Sequence, residues 1–144
     1  MLVRLMYASR AVPAVDQEEL VAILKQSKAN NPKLGVTGVL CACFDSRVFM
    51  QVLEGGRTAV NLLYNDIVRD TRHKNVVVLH YEEAAQRRFA NWTMGQVNLA
   101  KVNPSVLLKY SETTTLDPYA MSGSAAMALL EELIATAQIV GRAA

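Results

Sequence analysis

Three uncharged polar residues carry the chemistry this sequence offers. Gln51 stands inside the apolar run Val48-Phe49-Met50-Gln51-Val52-Leu53. A buried amide without hydrogen-bond partners costs about 1–3 kcal/mol, so a polar group is expected opposite it. Tyr7 lies near the end of the strand-like stretch Leu2–Ala8, and Asn31 follows the first helical stretch. An Asn side chain presents an acceptor and donors together, which suits a ring with adjacent carbonyl and N–H groups. Gln51 can donate to such a ring while accepting from the Tyr7 hydroxyl. Ile23 and Ile67 can flank the ring from two helices. Each residue also has a structural use: a strand-end phenol with a wet hydroxyl, a helix-stopping Asn before Pro, ordinary core isoleucines. Residue types alone thus reach an α+β domain with a polar ligand groove.

The elements that must position these groups follow from patterning. Leu2–Ala8 reads as a strand, apolar on both faces, and Ser9–Ala14 as a loop. Asp16 can cap a helix, with Glu19 placed for a capping box, and Leu20, Ile23, Leu24 and Ser27 form one helical stripe. Asn30-Asn31-Pro32 ends it, because the residue before proline avoids the helical region. Val36–Phe44 and Val48–Leu53 read as strands joined around Asp45-Ser46-Arg47. Gly55-Gly56 is expected to break the chain and Thr58 to cap a helix through Val68. Val76–His80 and Trp92–Val97 read as further strands. Asn103-Pro104 starts a short helix to about Tyr110, and Ser122 or Ser124 caps a last helix to about Val140.

This order predicts an α+β fold: a ferredoxin-like βαββαββ sheet with two helices on one face and a C-terminal helix pair covering the other. The cover is needed because Leu40 and Cys41, Phe49 and Met50, and Val77 and Val78 place apolar groups on both faces, and a bare face would be a large exposed patch. Two regions are expected, a core over 1–98 and a helical extension over 99–144. On the last helix Met127, Leu130, Ile134 and Ala137, with Leu133 and Val140, form an apolar face. It serves either as sheet cover or as an oligomer or partner surface.

Composition sets the class. The 144 residues, 51% of them hydrophobic, suffice for one filled core. A net charge of +2 with dispersed basic residues speaks against nucleic acid as a partner. No apolar run approaches the ~20 residues of a membrane span, and the first residues lack the pattern of a secretory signal. Cys41 and Cys43, on one strand, lie roughly 6.5–7 Å apart, poor geometry for a disulfide. They read as core thiols of a cytoplasmic protein, and with only His73 and His80 beside them no metal site is expected.

At these same residues the chain resembles the BLUF family, blue-light sensors that use flavin. The resemblance is carried by Leu5-Met6-Tyr7-Ala8-Ser9, by Ala29-Asn30-Asn31-Pro32 with Val36-Thr37-Gly38-Val39-Leu40, and by Phe49-Met50-Gln51-Val52-Leu53-Glu54-Gly55. Arg69-Asp70-Thr71-Arg72-His73 and Arg87-Arg88-Phe89-Ala90-Asn91-Trp92-Thr93-Met94 complete it, all in the family's order. It implies a non-enzymatic photoreceptor holding a non-covalent flavin between the two helices, FAD first, with FMN or riboflavin as alternatives. Tyr7 and Gln51 then match the photoactive pair. Asn31, beside Asn30, matches the asparagine on the ring's carbonyl and N–H edge. Ile23 and Ile67 match the flanking aliphatics, Arg72 or His73 the contact to the other carbonyl, and Ser27 a neighbour of Gln51 and Tyr7. Trp92 and Met94 match the strand tied to signalling, with either one toward the flavin.

The implied photochemistry is electron transfer from Tyr7, proton movement through Gln51 and recombination, leaving Gln51 as a new rotamer or tautomer. With no recognisable enzyme region, the chain resembles the short class that signals to a separate effector, such as a response-regulator-like protein or a cyclic-di-nucleotide enzyme. A homo-oligomer is also expected. Its departure from the family pattern is a Leu40–Phe49 hairpin about two residues longer. The rival functions are a flavin reductase, a hydrolase of acylphosphatase type and a non-photoactive regulatory subunit. No glycine fingerprint or nucleophile–base pair supports the enzymes.

Overall fold

The computed structural model describes residues 1–43, 45–136 and 140–142, and at positions 17, 20, 24, 27, 100 and 140–142 its backbone alone. The chain runs β1 (Leu2–Ala11), α1 (Gln17–Asn30), β2 (Thr37–Cys43), β3 (Val48–Gly56), α2 (Arg57–Arg69), β4 (His73–Ala84), β5 (Trp92–Asn98), α3 (Pro104–Tyr110), α4 (Gly123–Ala135) and β6 (Val140–Arg142). The six strands form one sheet in the order β4-β1-β3-β2-β5-β6. β1 pairs antiparallel with β3 and β4, β2 antiparallel with β3, and β2 parallel with β5. The first four strands are the expected ferredoxin-like arrangement.

Local chemistry explains most boundaries. The Glu19 amide donates to Asp16 Oδ1 at 2.8 Å, capping α1. Asn31–Leu34 then tighten into a 3-10 turn that ends on Gly35 at φ 71°, a left-handed conformation suited to glycine. Ser105 and Ala125 amides donate to the caps Asn103 and Ser122.

Several boundaries differ from expectation. Gly55 and Gly56 do not break the chain; both pair with β1, opposite Val3 and Leu2. The cap of α2 is consequently Gly56, not Thr58. β4 is far longer than Val76–His80 because β1 pairs along its length, through two irregularities. The last helix stops at Ala135, where the Thr136 amide and hydroxyl both return to the Glu132 carbonyl. Val140–Arg142 pairs with β5 as a strand instead of continuing the helix. Phe44 and Ala137, assigned above to a strand and to the apolar helix face, lie outside the described residues.

The two-residue period of the strands sorts the core into two clusters. Val3, Leu5, Tyr7, Leu40, Phe49 and Leu53 meet the α1 and α2 side, where Ile23, Leu63 and Ile67 pack. Met6, Cys41, Met50 and Val52 meet the other side, where Leu107, Met127, Leu130 and Leu133 of the C-terminal helices cover them. The described part of the α4 stripe is therefore spent on the sheet. Cys41 and Cys43 are buried free thiols on that side, and burial pushes the Cys41 thiol up to about 12.

Candidate functional site

Strand register builds the site. Tyr7 lies directly opposite Gln51 across β1 and β3, and Leu40 lies opposite Gln51 on its other side. The period of two adds Ser9 and Phe49 to the same face. Above them α1 and α2 enclose a cavity of about 270 Å³, near the lower end of the ~300–1,000 Å³ usual for small-molecule pockets. Tyr7, Asn30, Asn31, Gln51, Arg72 and His73 line it, with Ile23 contributed by α1 and Ile67 by α2. The structure thus brings together every cavity residue named from the sequence except Ser27, which lies on α1 and whose side chain is not described.

The floor of the cavity is a hydrogen-bonded chain. Tyr7, Gln51 and Asn31 are 4%, 2% and 3% exposed. The Tyr7 hydroxyl donates to Gln51 Oε1, and Gln51 Nε2 donates to Met94 Sδ at 3.1 Å. Thioether sulfur is a weak acceptor, so the amide nitrogen is held lightly while the carbonyl oxygen is held well. Burial first, then the Tyr64 and Asp70 side chains, push the Tyr7 phenol well above its ordinary value. Tyr7 is therefore a neutral donor. The edge of Tyr64 sits 6.0 Å from the Tyr7 ring, centroid to centroid, at 61°.

Asn31 shows what the cavity wants. Its backbone carbonyl takes the Val36 amide at 3.0 Å. Its side chain lines the cavity, and the carboxamide opens onto that space without pairing to another described residue. A ligand edge carrying an acceptor and a donor would satisfy it. At the other end the His73 ring bridges Ser9 Oγ, at 3.0 Å, and the Ile67 carbonyl. The Arg72 Nε and Nη2 grip Asp70 at 2.9 and 2.5 Å. That grip holds the Asp70 carboxyl below its usual value and leaves Arg72 Nη1 outside the pair. Aliphatic walls, an unpaired amide on one edge and cationic or imidazole groups at the other fit an isoalloxazine ring.

Met94 and Trp92 fall on opposite faces. Met94 packs in the cavity-side cluster, while Trp92 packs in the cluster beneath the C-terminal helices. Two residues apart on a regular strand, they would share a face. Met94 instead has φ 74°, and the β2–β5 register jumps from Gly38↔Thr93 to Val39↔Gly95. This is a bulge, and a non-glycine residue held there stores strain of about 1–3 kcal/mol.

Residues 2–95 match the family model of BLUF, sensors of blue light using FAD. The chain belongs to the BLUF family. Among curated relatives of this BLUF chain, photoactivated adenylate cyclase subunit beta of Euglena longa is 34% identical over 94 residues, 65% of this chain and 11% of that protein. The blue light- and temperature-regulated antirepressor BluF of Escherichia coli (strain K12) is 37% identical over 92 residues, 62% of this chain and 22% of that protein. The chain therefore spans only a fraction of those relatives. Some solved structures match nearly end to end. BlsA in its photo-activated state has TM-score 0.81 at 29% identity, covering 93% of this chain and 95% of that one. BlrB in its dark state has TM-score 0.77 at 30% identity, covering 94% and 96%. The matched residues are thus those of a family of blue-light sensors that use FAD, and no described helix is long and apolar enough to cross a membrane.

Sequence reasoning missed several lining residues: Ser9, Leu40, Phe49, Leu63 and Asp70. The first three were within reach, since each shares strand parity or register with Tyr7 or Gln51. Asp70 carried no signal, because its use comes from a turn that folds it back onto Arg72.

Proposed function

We propose that this chain is a blue-light photoreceptor switched by Tyr7 and Gln51, with FAD in the cavity, that relays its state to a separate cytoplasmic effector protein. The observation that carries the reading is the buried Tyr7–Gln51–Met94 chain on the floor of a cavity edged by the unpartnered Asn31 carboxamide. Asn31, with Asn30 at the rim, would hold the ring's carbonyl and N–H edge. Ile23 and Ile67 would flank the ring, Arg72 Nη1 is free of the Asp70 pair to meet the far carbonyl, and His73, held by Ser9, would brace that end. Ser27, on α1, is kept as a candidate neighbour of Gln51 and Tyr7.

A bound flavin, excited by blue light, supplies a strong oxidant beside Tyr7. Tyr7 would be the donor of one electron to that oxidant, and its hydroxyl proton is poised to pass to Gln51 Oε1, to which it already donates. The Gln51 amide then turns over or tautomerises, at small cost because Met94 Sδ is a weak acceptor to leave. Return of the electron from the flavin and of the proton from Gln51 would restore Tyr7, and the rearranged Gln51 amide would then present a donor to the cavity. The burial of Tyr7 and Gln51 keeps water from short-circuiting the exchange.

The cavity and sheet then form a two-state element that light biases. We take residues 1–98 as the sensing core and 99–144 as the extension that reads it, through the shared apolar layer and with a homo-oligomer or effector as receiver. The test is reconstitution with FAD, FMN and riboflavin followed by spectra in the dark and under blue light. A small reversible red shift supports the sensor. A bound flavin that never shifts points to other flavin chemistry, and failure to take up any flavin overturns the reading. For the relay, a pull-down that recovers every partner equally in dark and light would count against it.

A further inference from the structure

Glu54 belongs to the motif that carries the family resemblance, yet it lies outside the cavity. By strand parity it shares the opposite face with Met50 and Val52. It is 1% exposed, and Arg4, its register partner, is 3% exposed. Arg4 Nε donates to Glu54 Oε2 at 2.6 Å. The same oxygen accepts the Arg88 amide at 2.9 Å, and Oε1 accepts the Phe89 amide at 2.6 Å. Arg4 also pairs with Glu82 and donates to the Gln86 carbonyl. The Phe89 carbonyl in turn accepts the Trp92 amide at 3.0 Å. Three donors from two distant segments converge on one carboxylate, which has two oxygens and about four lone-pair sites to meet them. An amide there would turn an N–H group toward donors.

We propose that Glu54 is a positioning residue for the Gln51 switch: by holding the Arg88 and Phe89 amides it fixes the lead-in to β5 and keeps Met94 against the Gln51 amide. Arg4 also holds the Gln86 carbonyl and the Phe89 ring is buried in the core, but among the described residues Glu54 alone receives the Arg88 and Phe89 amides. The Arg88 side chain pairs with Glu131 at the surface, each half exposed, and Arg87 reaches Thr37 and the Gly35 carbonyl. Met94, only a few residues on, sits in a bulge that it would not choose unaided. Freeing the lead-in lets that bulge relax, and Gln51 Nε2 loses its acceptor. The dark arrangement is weakened relative to the lit one, and the lit state lives longer.

The inference rests on the Tyr7–Gln51 photoswitch, and the experiment separates the two. The full chain loaded with FAD is followed after a blue flash in wild type, Glu54→Asp, Met94→Ala and the double variant. Glu54→Asp keeps the charge beside Arg4 but draws back from the two amides. Each single change is expected to slow dark recovery about two- to fivefold, the factor of one modest hydrogen bond, and the double variant to match Met94→Ala alone. A second readout needs no flavin. Trp92 is the one tryptophan, and its quenching by acrylamide in the flavin-free chain should rise in Glu54→Asp and stay unchanged in Met94→Ala. Glu54→Gln, of native length, serves if the aspartate variant does not fold. Unchanged recovery, or slowing that persists in full in the Met94→Ala background, overturns the proposal. So does failure of both Glu54 variants to fold, since the role would then be structural. A wild type with no red shift overturns the photoswitch instead, while Trp92 quenching still reports whether Glu54 holds the segment.

Discussion

Asn31 and Tyr7 make the sharpest demands on single side chains. Replacing Asn31 with Ala removes a cavity-facing carboxamide that has no partner among the described residues, and a ligand edge left unpaired costs about 1–3 kcal/mol. FAD affinity, read by quenching of flavin fluorescence, should fall at least about fivefold while the fold stays intact. Tyr7 sets a pH signature. Its folded pKa lies above its unfolded value of 10.0. The associated stability is complete below pH 10 and declines as pH rises from there through the folded value. Urea midpoints of wild type should therefore drop relative to Tyr7→Phe above pH 10, and the two should run parallel below it; parallel curves throughout would contradict the assignment. The sequence made this trio legible because uncharged polar groups in apolar strands need partners. It left the Trp92–Met94 question open because period-two reasoning puts both on one face, and only the φ of Met94 separates them.

Elements were legible where a cap or a period spoke: Asp16, Asn103 and Ser122 each receive the expected amide. They were misread where pairing overrode local preference. Two glycines continue β3, β1 extends β4 at both ends, and the last helix gives way to a strand at the sheet edge. Close approach leaves two glycines irreplaceable. A Cβ on Gly38 would meet the Val52 carbonyl oxygen at 1.9 Å, and one on Gly123 would meet the Leu79 carbonyl oxygen at 2.3 Å. Leu79 is the residue skipped where the β1–β4 register shifts beside Tyr7, so Gly123 seats α4 on that irregularity. Gly123→Ala should lower the melting temperature through overpacking of about 1–3 kcal/mol, measured by thermal unfolding; an unchanged midpoint would mean that α4 is not seated there.

The whole molecule is two apolar layers sharing one sheet, and that division gives the C-terminal segment its purpose. Truncation after Asn98 would uncover Met6, Cys41, Met50, Val52 and Trp92 together. The shortened chain should bind a hydrophobic dye or aggregate, whereas a well-behaved monomer that binds no dye would show that the cover is dispensable. A sheet with a ligand cavity on one face and a fitted cover on the other can carry a change at Gln51 to the far side. In the proposed relay, that path links photochemistry to output. The central claim is that the Tyr7–Gln51 bond is the switch, and the light-minus-dark absorption spectrum of the FAD-loaded chain tests it most directly. A reversible red shift in wild type that is lost in both Gln51→Leu and Tyr7→Phe, with flavin still bound, is the predicted result; a shift that survives in Gln51→Leu would contradict it.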